Sequence, residues 1–204
     1  MYRFAKQCDV KELDEWCRNI LLDVQNEIRE YFTFDFRLIG SGEKRLVTQN
    51  SDEAFDLDYN IILQRDKQNL LDDPKTIKNI FVHSFNEVLG RQVKNYSHVC
   101  DSTSVVTAKI ILNNKINFSF DVAIIVEGND GYFYRLVNDK WSNRYIWNQM
   151  PNSRNYFEQF KKIKDNGQWL DFKHRYLELK NMHLFRGDKH KSFSIFLETI
   201  NEFN

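Results

Sequence analysis

Two aspartates alternate with apolar residues in Phe55-Asp56-Leu57-Asp58-Tyr59-Asn60-Ile61-Ile62-Leu63, and this run limits the possible folds more than any other. Its period of two predicts a strand, with Asp56, Asp58 and Asn60 on one face and Leu57, Tyr59 and Ile61 on the other. The apolar face needs a core against it. Neighbouring carboxylates on the opposite face repel each other, and a cation between them relieves the repulsion; hard oxygen ligands of this kind suit magnesium. Just upstream, Phe32 to Ile39 also reads as a strand, and it runs into a Gly40-Ser41-Gly42 turn. Strand, glycine turn and acidic strand together imply a site that handles nucleotides.

The remaining chain supplies layers for such a sheet. Leu13, Trp16, Ile20, Val24, Ile28 and Phe32 recur at steps of three and four, predicting an amphipathic helix over about 10–31, with Asp9 as its N-cap and Glu12 three residues on. Residues 43–53 read as a loop or short helical turn. Asp72-Asp73-Pro74 opens a second helix that carries Ile77, Ile80, Phe81, Ser84, Phe85 and Val88 on one side and closes at Gly90. One or two strands are expected over 93–112, bending at Ser102-Thr103-Ser104. An Asn113-Asn114 turn then leads into a strand over 115–126. Asp121 lies mid-strand there, sharing a face with Ser119 and Ala123 while Phe118, Phe120, Val122 and Ile124 take the other. A lone carboxylate in such a setting is costly unless it is paired or binds a metal. A further strand is expected at 131–137, followed by helices at about 153–164, 167–182 and 192–203.

Composition narrows the function classes. With 42% hydrophobic and 15% aromatic residues over 204 positions, the chain can bury a large core, and two prolines and seven glycines leave no room for a disordered linker. No apolar run is long enough for a membrane span, and none follows Met1–Lys6 to make a signal peptide, so a cytoplasmic location is expected. The 29 basic residues balance 29 acidic ones, which disfavours long nucleic acid as the main partner. Lys161-Lys162-Ile163-Lys164 and Arg186–Lys191 read as solvated basic clusters. Cys8, Cys17 and Cys100 have neither disulfide nor zinc-ligand spacing and are expected to be reduced. His83, His98, His174, His183 and His190 include no i, i+4 metal pair, so packing or surface roles are expected.

The ordered combination of Gly40-Ser41, a long spacer from Gly42 to Phe55, Asp56-Leu57-Asp58 within an apolar strand, and Asp121 in a later strand resembles the DNA polymerase β-like nucleotidyltransferase superfamily. The spacer and the C-terminal helices look most like its cyclic GMP-AMP synthase and oligoadenylate synthetase branch. The resemblance covers about residues 30–126 well and the helical C-terminal part loosely. Gly42 follows the serine where related synthases often carry a bulkier residue. The implied fold is α+β: a twisted mixed sheet backed by helices, here residues 1–140, with a C-terminal helical subdomain, 141–204, packed on this core and closing the nucleotide cleft.

The resemblance further implies a magnesium-dependent enzyme that moves a nucleoside monophosphate from a triphosphate such as ATP to an acceptor hydroxyl. Asp56, Asp58 and Asp121 would be catalytic and would bind two magnesium ions, manganese being the alternative metal. Gly40, Ser41 and Gly42 would hold the β- and γ-phosphates. The acceptor is left open between a nucleotide, an RNA end, a small molecule and a protein, and a protein partner could complete its site. Lys44, Arg45 and Lys180 are further cations within the implied site regions, each equally readable as a solvated lysine or arginine. Tyr132, Tyr134 and Tyr176 are candidates for stacking on the base. The competing reading is a non-catalytic regulatory or antitoxin-like module of the same fold, against which three retained, mutually repelling acids argue. A third is an α+β interaction protein with coincidental matches.

Overall fold

The computed structural model describes the chain except for residues 52, 94–95, 113–114, 152–153, 189 and 204. The elements in chain order are β1 (Tyr2–Phe4), α1 (Gln7–Glu27), β2 (Phe32–Ile39), α2 (Gly40–Glu43), β3 (Thr48–Asn50), β4 (Asp56–Asp66), α3 (Pro74–Gln92), β5 (Tyr96–Asp101), β6 (Val106–Leu112), β7 (Lys115–Glu127), β8 (Phe133–Asp139), β9 (Arg144–Gln149), α4 (Arg154–Asp165), α5 (Trp169–Arg186) and α6 (Ser192–Glu202). They form two compact units. One comprises Ala5–Val47 and Glu53–Met150, the other Met1–Phe4, Thr48–Asp52 and Pro151–Asn204.

The first unit is an α+β layer pair around a seven-stranded sheet, in which β2, β4, β7, β6 and β5 lie side by side and β8 continues from β7 to β9. β4 and β7 run parallel, with Asp58 beside Asp121, and the other pairs are antiparallel. β7 therefore changes partners along its length. Residues 115–122 pair with β6, and Ile125, Val126 and Glu127 pair with Arg135, Tyr134 and Phe133 of β8.

The alternation read in the sequence is the reason for the layering. Leu57, Tyr59 and Ile61 of β4, Phe120, Val122 and Ile124 of β7, and Phe32 and Phe34 of β2 join one buried cluster with Ile20, Leu21 and Val24 of α1 and Ile77, Phe81, Phe85 and Val88 of α3. Aromatic edges fill this layer: Trp16 meets Phe118 and Phe120 at 5.2 and 6.0 Å between ring centroids, and Phe85 meets Phe120 at 6.0 Å. Truncating a side chain such as Leu21 here would cost about 2–5 kcal/mol by loss of transfer energy and the cavity left behind. Both helices back this one face, and the aspartates lie on the opposite face.

Several boundaries differ from the sequence reading. α1 starts at Gln7 with Lys6 at its N-cap, so Asp9 lies in the first turn, where its charge complements the helix dipole. Asp73 does cap α3, accepting from Thr76 N at 3.1 Å and from Thr76 Oγ1 at 2.6 Å. The glycine turn is the first turn of the short helix α2, with Gly40 at φ +65°. β9, within the stretch read as the approach to the helical part, pairs with β8, and the first compact unit runs through Met150. The expected Asn113-Asn114 turn lies outside the described residues.

The second unit packs α5 against α6 and against the small β1–β3 ribbon. Phe160, Phe172 and Phe196 form its aromatic centre, with centroids 5.1–5.9 Å apart. Neither three-residue strand was legible in the sequence. Asn181 of α5 holds β1 by a backbone-like pair, accepting from Tyr2 N at 2.6 Å and donating to Tyr2 O at 3.1 Å.

Candidate active site

The parallel register of β4 and β7 brings the three aspartates to one face, Asp56 and Asp58 at the start of β4 and Asp121 midway along β7. Asp58 and Asp121 are direct neighbours, and Asp56 lies beside Ser119. Asp56 is exposed, whereas Asp58 and Asp121 are half-buried. Each outer acid has a hydroxyl donor from a residue on the same face. Thr107 Oγ1, on β6 opposite Asp121, donates to Asp121 Oδ1 at 2.6 Å, and the Ser119 hydroxyl donates to Asp56 Oδ1.

Electrostatics concentrate on the middle acid. Burial, then the nearby charges of Asp121 and Asp56, push the Asp58 carboxyl up to about 6, with Arg135 and Lys44 opposing the rise. Asp121 is also raised, chiefly by burial, and the Thr107 hydrogen bond and Lys109 limit the shift. Arg135, on β8 opposite Ile125 and so on the same face, is held below its ordinary value by burial while Asp58 pulls it back up. It forms the cationic side of the site, together with buried Lys44.

α2 carries the backbone to the carboxylates. Leu38 and Ile39 pair with Tyr59 and Asp58, so the chain leaves β2 beside Asp58 and turns at Gly40. A Cβ at Gly40 would stand 2.9 Å from Asp58 Oδ2, and its φ of +65° also favours glycine. Ser41 is half-buried on this turn. Gly42 is buried for a different reason: a Cβ there would meet the Leu38 side chain at 2.8 Å. Lys44 Nζ contacts Gly40 O at 3.3 Å and Glu43 Oε2 at 3.2 Å, bracing the turn from the following residues.

The donor set fits a hard divalent cation: three carboxylates, with hydroxyls supporting two of them and no thiolate or imidazole among them. Their oxygens do not all lie within 4.8 Å of one another. Among the described residues the trio that meets this spacing is His183, Asp188 and His190, in the other unit. Ser119 and Thr107 each occupy one oxygen of their carboxylate, Oδ1, which leaves the Oδ2 atoms of Asp56 and Asp121 for a cation. Two buried polar atoms on the same face, Asn60 Oδ1 and Arg135 Nε, have no hydrogen-bond partner, so this surface retains unmet capacity for both a donor and an acceptor.

The sequence reading named the three acids and the glycine turn, and the fold brings these residues beside one another. It did not find Thr107 or Arg135. Thr107 and Lys109 alternate on β6 as Ser119 and Asp121 do on β7, a signal that becomes usable only once the register is known.

This layered sheet, with paired acids on β4 and a third on the parallel β7, is the nucleotidyltransferase fold. Solved structures that share it include cyclic dinucleotide synthases. A Vibrio cholerae DncV variant in complex with ATP, GTP and 5MTHFGLU2 superposes with a TM-score of 0.72 over 98% of this chain and 69% of that one, at 8% identity. The 3'-deoxy GTP-bound form of DncV gives 0.71 at 9% identity, over 98% and 67%. The STING-associated CdnE c-di-GMP synthase of Capnocytophaga granulosa gives 0.65 at 14% identity, over 98% of this chain and 61% of that chain. The present chain thus spans about two thirds of the length of these enzymes. No protein-family model and no curated protein matches the sequence. No helix among the described residues is long and apolar enough to cross a membrane.

Proposed function

We propose that this chain is a magnesium-dependent nucleotidyltransferase that moves a nucleoside monophosphate from a nucleoside triphosphate to an acceptor hydroxyl. The observation that carries this reading is the side-by-side placement of Asp58 and Asp121 on parallel strands, with Asp56 one step along and the Gly40 backbone against Asp58. A binding module would gain nothing from keeping Asp58 ionised against burial and two like charges. An enzyme gains a site whose repulsion is relieved only when its cations and substrate arrive.

Asp56 and Asp58 would hold two magnesium ions and Asp121 one of them. When bound, the ions neutralise charge on the attacking and leaving oxygens of an in-line displacement at the α-phosphorus. Asp121, held by the Thr107 hydrogen bond, would accept the proton of the acceptor hydroxyl. The α2 backbone at Gly40 to Gly42 and the Ser41 hydroxyl would bind the β- and γ-phosphates. Arg135 Nε and Asn60 Oδ1 would find their missing partners in the bound substrate. Among acceptors, a second nucleotide is the one favoured by the fold relatives, one of which was crystallised with the linear intermediate 5' pppA(3',5')pG.

Incubation of the purified chain with each α-labelled ribonucleoside triphosphate and magnesium tests the reading, with Asp56→Ala/Asp58→Ala as control. Magnesium-dependent pyrophosphate release by the wild type alone is expected, and the destination of the label names the acceptor. Failure of the wild type to bind triphosphate with magnesium would overturn the proposal.

A further inference from the structure

α5 ends at Gly187, whose left-handed φ of +70° folds the chain back over the last helical turn. The fold-back brings Asp188 and His190 onto His183. The Asp188 Oδ2 atom stands 3.2 Å from His183 Nδ1, and one ligand atom from each of the three residues lies within 4.8 Å of the others. His183 is 7% exposed, whereas Asp188 and His190 face solvent. On the other side of the ring, Glu198 of α6 lies 3.1 Å from His183 Nε2.

We propose that His183, Asp188 and His190 bind a divalent transition-metal ion of the zinc class. The inference does not depend on the nucleotidyltransferase reading. Glu198 faces Nε2 and Asp188 faces Nδ1, so the ring lies between two carboxylates, and a metal ion in place of an Nδ1 proton would join Nδ1 to the Asp188 carboxylate. A carboxylate on the second ring nitrogen is the usual support for a metal-binding histidine, since it fixes the tautomer and raises ligand basicity. Ligands at about 2.0–2.1 Å in tetrahedral geometry stand roughly 3.3 Å apart, matching the Nδ1–Oδ2 separation. The His183 and His190 rings stack at 4.1 Å and 21°, with a His190 ring nitrogen within 4.8 Å of the other two ligand atoms, and binding would require the exposed His190 ring to turn out of this stack. Two imidazoles and one carboxylate select zinc, copper or nickel over magnesium. With Glu198 included, a bound ion would clamp the end of α5 to α6.

The test is calorimetric titration of the metal-stripped full chain with zinc chloride at neutral pH. It is done in the Asp56→Ala/Asp58→Ala background, so that the acidic face contributes nothing. One zinc per chain is expected, with affinity falling at least tenfold on His190→Ala and again on Asp188→Asn. Both changes are at exposed positions, which spares the fold. Zinc should also raise the Tm of the parent and not of His190→Ala, while magnesium raises neither. Absence of stoichiometric zinc binding, or equal binding by His190→Ala, would overturn the site and leave His183 as an imidazolium held between two carboxylates.

Discussion

Asp58 is kept in the fold against its own ionisation. A carboxyl raised from an ordinary value of 3.8 to about 6 binds its proton more tightly in the folded chain than in the unfolded one. Metal-free stability therefore falls as pH rises between these values, and the full penalty is present above pH 6. Asp58→Asn should stabilise the metal-free chain at pH 8 by on the order of 1–3 kcal/mol, visible as a higher Tm, while abolishing triphosphate turnover. Gly40→Ala should do the opposite to the backbone. Its Cβ would press on Asp58 Oδ2 at 2.9 Å with a positive φ retained, so stability should drop by about 1–2 kcal/mol and activity by much more. Thermal melts and initial rates on both variants check these outcomes. Thr107→Val keeps shape and removes the donor to Asp121. A tenfold or greater loss of kcat with little change in KM is expected if Thr107 positions that acid.

Between elements, an ion pair of a buried lysine with a half-buried aspartate fixes the edge of the sheet. Lys78 of α3 is 1% exposed; its Nζ meets Asp101 Oδ1 of β5 at 3.1 Å and donates to Val105 O at 3.0 Å. Asp101 Oδ2 accepts from Tyr145 of β9 at 2.6 Å and from Asn138 of β8 at 3.2 Å, so one carboxylate joins α3, β5 and the β8–β9 hairpin that carries Arg135. Burial holds the Lys78 ammonium below its ordinary range, with Asp101 countering. Lys78→Met alone should cost about 1–3 kcal/mol, because Asp101 loses its counter-charge while keeping the Tyr145 and Asn138 hydrogen bonds. Lys78→Met/Asp101→Leu should recover much of that loss in urea denaturation, a coupling that a double-mutant cycle measures.

At the scale of the whole molecule, the helical unit is assembled from three separated pieces of sequence. Two three-residue strands cannot stand alone. They depend on α5, through the Asn181 pair with Tyr2, the Lys180 ammonium over the Tyr2 ring at 4.5 Å with its hydrogen bond to Thr48, and Lys173 over Phe4 at 4.4 Å. Lys180, readable in sequence as a phosphate ligand or a solvated lysine, thus has partners within this unit. Asn181→Ala should leave two backbone groups of Tyr2 without their partner and lower stability by about 1–3 kcal/mol. Faster cleavage near the N-terminus in limited proteolysis, with the β4–β7 sheet still protected in hydrogen exchange, is the expected signature.

The sequence by itself determined what depends on local period and residue chemistry: α1 and α3 from their apolar stripes, β4 and β7 from alternation, and Asp56, Asp58 and Asp121 as charges where a core would want none. The strand and helix periods are properties of neighbouring residues, so they are legible before folding. The tertiary structure decided what depends on register and return of the chain. Only the parallel pairing of β4 with β7 makes Asp58 and Asp121 neighbours, and only the antiparallel pairing of β6 and β8 with β7 sets Thr107 and Arg135 on the same face. The short β1 and β3 carry too few residues for a period, and β9 alternates weakly, so long-range pairing alone defines them. His183 and His190 lack the i, i+4 spacing of a helical metal pair because a left-handed glycine, and no helix, brings them together.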